Sequence, residues 1–304
     1  MDDRARKGGC CHQGVTKVSV LASQLALPRD GHLEAVCRIF AHLNDKHDFR
    51  TVFDPMRAEI EMSLFKECDW QEFRGNVSEP MPPNMPEPRG KEVEIRLHVD
   101  SDHAGDQLVR RSRTGFFVCL NSAPLISFSK RQPAVETSVF GAEFVAMKNG
   151  MERVRGLRCE LRVMGVPVDG LAFVRGDSAS VTHNAQQPKS ALKKRSNSTC
   201  CHCCRELVAM NERMTGRVPT KQNRADPRTK VTPGGAQRDC LVTPTLRDVA
   251  TAQATLATAQ RSPQLSAGLA GSLVALRATK RGSRFLILFF EVGLTKQAAG
   301  VHGE

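Results

Sequence analysis

Hydrophobic positions along the chain change period several times, and each change marks an element. From Leu33 the apolar residues Leu33, Val36, Cys37, Phe40 and Leu43 recur in steps of three and four, which places them on one side of a helix opening near Pro28-Arg29-Asp30. The apolar stretch Val18–Leu27 supplies a partner, so residues 16–45 read as a helical hairpin, followed by a strand at Thr51-Val-Phe53. Further on, Val93, Ile95, Leu97 and Val99 alternate with Glu94, Arg96 and His98, the period of a strand with one buried face, and Asp100 stands at its end. Phe116–Leu120 and Leu125–Ser129 flank the turn sequence Asn121-Ser-Ala-Pro124 and predict two more strands. Between Ser138 and Met164 the helical spacing returns in Phe140, Phe144, Met147, Met151, Val154, Leu157, Leu161 and Met164, and Gly165-Val-Pro167 ends that helix. Leu171–Val174 is short and apolar enough for a buried strand, with Asp177 at its exit. Ser198–Met214 predicts another helix, and Ala225–Lys230 the start of a last one.

This order of elements predicts a mixed α/β fold in which a meander of strands is followed by helix, strand, helix and helix. Five prolines between Ser78 and Gly90 remove amide donors and fix backbone angles, so neither helix nor sheet passes through that segment. The predicted organisation is a disordered lead-in (1–15), a helical region (16–77), a proline-rich linker (78–91), an α/β domain (92–232) and a poorly defined tail (233–304). In the tail the composition shifts to Ala, Thr, Gln and Leu, and Phe285–Phe290 is the longest apolar run.

Six residues fall far short of the roughly 18 that a membrane span requires, so no membrane partner is expected. The amino-terminal MDDRARKGG has no apolar signal-peptide core, and the 11 cysteines lack the spacing of a disulfide framework. An intracellular chain, cytoplasmic or nuclear, is the expectation. Lys plus Arg number 44 against 32 Asp plus Glu, a net charge of +12 that favours polyanions such as nucleic acid. Cys200-Cys-His-Cys-Cys204 raises the question of zinc, but structural zinc sites present paired ligands from separated segments; small residues on a packed helix are the competing reading.

Four carboxylates fall where such a fold converges its strand ends and helix starts: Asp100, Glu143, Asp177 and Asp226. In-line cleavage of a phosphodiester calls for two divalent cations about 3.5–4 Å apart, and clustered carboxylates supply the hard oxygen ligands that Mg²⁺ prefers. Acidic residues at such places are also ordinary caps and turn formers, so the joint placement carries the signal rather than any one residue.

His98-Val-Asp-Ser-Asp-His-Ala-Gly105 is the first of several short segments that resemble, in order, those of the ribonuclease H domain of copia-type retrotransposon polyproteins; it is similar to the Asp-Ala-Asp-Trp-Ala-Gly signature that opens that domain. Arg111-Ser-Arg-Thr-Gly115, Ser129-Lys-Arg-Gln132, Ala142-Glu-Phe-Val-Ala146, Gly176-Asp-Ser-Ala-Ser-Val181 and Asn223-Arg-Ala-Asp-Pro-Arg-Thr-Lys230 follow. Upstream, Leu21–Arg29 and the next helix resemble the end of the reverse transcriptase of the same polyproteins, without a palm-domain aromatic-x-Asp-Asp turn before it. The resemblance implies a ribonuclease H-like mixed sheet with flanking helices, and metal ligation and catalysis by Asp100, Glu143, Asp177 and Asp226 with two Mg²⁺ ions. The implied reaction is hydrolysis of the RNA strand of an RNA·DNA hybrid. Phosphate contacts are expected from Arg110, Arg111, Arg113, Lys130, Arg131, Lys193, Lys194 and Arg195, with the rest of a retroelement polyprotein as a further partner.

His103 and Ser178 stand where the family has Trp and Asn, and the chain has no tyrosine. Cys119, Cys159 and Cys201 occupy positions where the family tends to have aromatic residues, and each such exchange gives up buried area. Three readings therefore stand: an active hybrid-cleaving nuclease, a non-catalytic nucleic-acid-binding module, and an inactive, degraded retroelement relic.

Overall fold

The structure is a computed structural model that describes residues 10–45, 49–51, 56–66, 68–168, 170–190, 192, 197–230, 241 and 246–248. In chain order its elements are α1 (Cys10–Ala22), α2 (Asp30–Asp45), β1 (Phe49–Thr51), α3 (Gln71–Arg74), β2 (Ile95–Asp102), β3 (Arg113–Leu120) and β4 (Ala123–Arg131). There follow α4 (Val139–Val163), β5 (Ala172–Gly176), α5 (Ala179–Gln186), α6 (Ser198–Ala209), β6 (Arg213–Arg217), α7 (Asp226–Thr229) and β7 (Leu246–Asp248). The tail otherwise lies outside the described residues, as does the Phe285–Phe290 run.

Five strands form one sheet in the order β4-β3-β2-β5-β6, and β1 pairs with β7 in a separate two-stranded ribbon. Strands β2, β3 and β4 are antiparallel, as the meander required, whereas β5 joins β2, and β6 joins β5, in parallel. Asn121 turns β3 into β4 with a left-handed backbone (φ 53°), a conformation that asparagine tolerates. The fold is the mixed sheet with flanking helices that the sequence predicts.

The alternation of β2 sorts its residues to two faces, but both are buried, where a single buried face was expected. Ile95, Leu97 and Val99 face α4, where Phe144, Met147, Met151, Val154, Leu157 and Leu161 complete the core. Helix α4 begins where Ser138 accepts a hydrogen bond from the Gly141 amide (3.1 Å), and it ends at Gly165 (φ 73°), as predicted. Gly150 lets the helix approach the sheet, since a Cβ there would lie 2.9 Å from Val99 and 3.1 Å from Leu97. On the opposite face Arg96, His98 and Asp100 point toward α7 and the segment leading into it, with Arg228 stacked 4.3 Å over the Phe117 ring.

Several expectations need correction. The helix predicted to Met214 stops at Ala209, because Asn211 takes a left-handed conformation (φ 55°) and the chain re-enters the sheet as β6. Helix α5 buries only Val181 and Ala185 as apolar residues, too little for periodicity to register. Helix α1 begins at Cys10, inside the predicted disordered lead-in, and packs on β4 and α7 as well as α2. In α2 the predicted stripe is not covered, for Leu33, Phe40 and Leu43 are all more than half exposed. Of the strand expected at Thr51–Phe53, Thr51 is the last residue of β1, which begins at Phe49, and residues 52 and 53 lie outside the described residues. Cys159 is exposed, so no buried area is lost there, while Cys119 and Cys201 are fully buried.

The proline-rich segment is held against the body of the fold. Glu79 pairs with Arg158 (2.9 Å) and Arg162 (2.7 Å) of α4, and the Arg89 amide donates to the Gly165 carbonyl (2.8 Å).

A carboxylate cluster at the carboxyl ends of two parallel strands

Parallel pairing of β2 with β5 sets the carboxyl ends of both strands side by side. Asp100 lies near the end of β2, and Asp177 directly follows β5. Glu143, in the second turn of α4, reaches the same point, where its Oε1 accepts a long hydrogen bond from the Ser101 amide (3.4 Å). Ligand oxygens of Asp100, Glu143 and Asp177 all lie within 4.8 Å of one another. Together with Ser101, His103, Val139, Ser178 and Lys230 they line an open cleft of about 350 Å³.

Asp226 is placed differently. It opens α7, as predicted, but the three-carboxylate group does not include it. Its Oδ1 instead accepts from Lys230 Nζ (2.8 Å), which also lies 3.4 Å from Asp100 Oδ2. The hydroxyl of Thr229 donates to the same Asp100 oxygen. Asn223 fixes this segment to the sheet, its amide nitrogen donating to the Val99 carbonyl (2.8 Å) and its side-chain oxygen accepting from the Ala225 amide (3.1 Å). Asn223, Thr229 and Lys230 are thus parts of the site to which residue-type reasoning gave no role, although all three lie in the Asn223–Lys230 motif. Gly115 is required opposite them: a Cβ would come within 2.6 Å of Thr229 and 2.8 Å of Arg228.

Electrostatics follow from burial and proximity. Burial pushes the Asp100 carboxyl up to about 7; Lys230 and the Thr229 hydrogen bond oppose this, and the charges of Asp177 and Asp226 add to it. Glu143 is pushed up to about 8, first by burial and then by Asp100 and Asp177. Lys230 is held above the usual lysine range, its own burial outweighed by the surrounding carboxylates.

Asp100 Oδ1 is buried with no hydrogen-bond partner. A buried carboxylate oxygen without a donor is costly, and hard, mutually repelling oxygens are the ligands that a divalent cation such as Mg²⁺ takes best. Among the described residues this is the only group of three or more potential ligands, so the residues present fit such an ion. The cysteines of α6 do not form a second one: Cys201 and Cys204 are fully buried in the core and Cys200 and Cys203 pack beside it.

The predicted phosphate contacts divide. Arg110 and Lys130 are exposed and Arg111 is partly so. Arg131 is paired with Asp106 (2.8 Å). Arg113 is buried and bonds the Ser19 hydroxyl of α1, which removes it from a solvent-facing role. Lys193, Lys194 and Arg195 lie outside the described residues.

No family model matches the sequence. Among solved structures, the N-terminal RNase H domain of a Mycobacterium tuberculosis protein, fused to maltose-binding protein, is similar at 16% identity, 54% of this chain and 99% of that one, with a TM-score of 0.36. An RNase H1 of the halophilic archaeon Halobacterium salinarum is similar at 14% identity, covering 44% and 91%, with a TM-score of 0.33. The foamy viral protease-reverse transcriptase in complex with an RNA/DNA hybrid is similar at 12% identity over 55% of this chain and 23% of that one, with a TM-score of 0.31.

Proposed function

We propose that this chain is a divalent-metal-dependent nuclease that hydrolyses the RNA strand of RNA·DNA hybrids, and that it descends from a copia-type retroelement polyprotein. The observations that carry the nuclease reading are the convergence of Asp100, Glu143 and Asp177 within 4.8 Å of one another and the buried, partnerless oxygen of Asp100. The retroelement origin is supported by the ordered motifs between His98 and Lys230. Nucleic acid, rather than another phosphoester, is favoured by the net charge of +12 and by the exposed Arg110 and Lys130.

In this reading Asp100, Glu143 and Asp177 would hold Mg²⁺, which would supply positive charge at the scissile phosphate and Lewis acidity toward water. The chain's own contribution is orientation. Ser101 fixes Glu143, Thr220 donates to Asp177 Oδ2 (2.9 Å), and Thr229 fixes Asp100. Substrate contact is through phosphates and the 2′-OH of an A-like duplex, a mode that requires no base sequence.

The test is cleavage of a labelled hybrid with Mg²⁺. Wild type is expected to cut and Asp100→Asn to lose at least a hundredfold in rate at unchanged side-chain volume. Hybrid retention without cutting, with a steep salt dependence, supports the non-catalytic binding module instead; neither binding nor cutting supports the relic.

A further inference from the structure

The two sides of Asp100 are engaged differently. Its Oδ1 has no hydrogen-bond partner, whereas its Oδ2 already takes the Thr229 hydroxyl and faces the Lys230 ammonium at 3.4 Å. The same ammonium holds Asp226 Oδ1 at 2.8 Å. A cation therefore already lies between Asp100 and Asp226, and it is covalently part of the chain. Asp226 is correspondingly absent from the group of carboxylates that converge on one another.

We infer that Lys230 occupies the second cation position of this site, so that the protein binds one divalent ion tightly, at Asp100, Glu143 and Asp177, and admits a second only by displacing the Lys230 ammonium. The inference rests on the reading of this cluster as a metal centre, and replaces the two resident Mg²⁺ ions implied by the family motif with one. Lysine suits the role as a compact point charge on a flexible stem. Its side chain is 46% exposed, leaving it room to swing into solvent when a competing ion arrives. Such a site senses metal concentration, since its second ion enters only where the free ion outcompetes an intramolecular ammonium.

The experiment counts Mn²⁺ bound to the full chain, by the loss of the free-ion electron paramagnetic resonance signal during titration. Wild type is expected to show one tight site and a second at least tenfold weaker. Lys230→Met, which keeps the length and removes the charge, should bind two ions, the second at least tenfold tighter than in wild type. Lys230→Arg should keep the wild-type count of one tight ion. Two ions of equal affinity in wild type, or a second site unchanged in Lys230→Met, overturn the inference; the wild-type count decides alone if the methionine variant does not fold. Hybrid cleavage measured in parallel separates this from the nuclease reading. One tight ion with no cleavage keeps the inference and sinks the nuclease, whereas no ion in any of the three proteins overturns both.

Discussion

At the scale of single residues, the motif positions were legible but their environments were not. Arg110, Arg113 and Lys130 look alike in sequence, yet β3 buries Arg113 against Ser19 while the other two stay exposed. Replacing Arg110 or Lys130 by alanine is expected to lower the slope of log K for hybrid binding against log salt by about 1 each. Arg113→Ala should leave that slope unchanged and cost about 1–3 kcal/mol of stability instead. Equal slope changes at all three positions would contradict the assignment. Asp226 carries the same lesson, since chain position brings it to the site and only the intervening Lys230 shows what it binds. Gly115 makes a further residue-level case. Because a Cβ would meet Thr229 and Arg228, Gly115→Ala should push α7 off the sheet, lowering stability by about 1–3 kcal/mol and reducing cleavage more than Gly156→Ala, where the nearest atom is 3.6 Å away. Equal effects of the two alanines would remove the close approach from the account.

At the scale of elements, long periodic segments were readable and short polar ones were not. The 25-residue α4 announced itself through seven periodic apolar positions, an eighth at its C-cap and a glycine stop, whereas β6, Arg-Met-Thr-Gly-Arg, has one apolar side chain and two charged ends. It is buried because Arg213 pairs with Glu212 and donates to the Met151 carbonyl (2.8 Å), a solution that no local pattern encodes. The proline-rich segment was read correctly as neither helix nor strand, but its docking depends on Glu79 finding two arginines about eighty positions away. Burial alone would raise the Glu79 carboxyl; the hydrogen bonds and charges of Arg162 and Arg158 outweigh it and hold it down near about 2. With a folded value below the unfolded 4.5, the contribution is fully present above about pH 4.5 and is lost as pH falls toward 2. Chemical denaturation from pH 7 to pH 3 should therefore show a loss in wild type that is smaller in Glu79→Gln, with the variant about 1–3 kcal/mol less stable at pH 7. Parallel pH curves would mean that the clamp contributes nothing.

At the scale of the molecule, helix α1 ties the amino-terminal region to the candidate site. Its Thr16 hydroxyl donates to the Pro227 carbonyl of α7 (2.8 Å), and α7 in turn carries the Thr229 that holds Asp100. Val15 and Thr16 are buried although α2 beside them leaves its apolar stripe open, so the contact that matters for α1 is the one with the α/β body. The sequence suggested the reverse, a hairpin closed on itself, because periodicity shows that a face is apolar without showing what covers it. Val15→Asp puts an unpaired charge into that contact, and such burial costs about 2–4 kcal/mol, or a Tm lower by about 5–15 °C. If α1 positions α7, the stabilisation gained by adding Mg²⁺ should also shrink in this variant, because a loosened Thr229 leaves Asp100 less well placed to accept the ion and linkage returns less free energy at equal metal concentration. A Val15→Asp protein with wild-type Tm and an undiminished response to Mg²⁺ would separate α1 from the site.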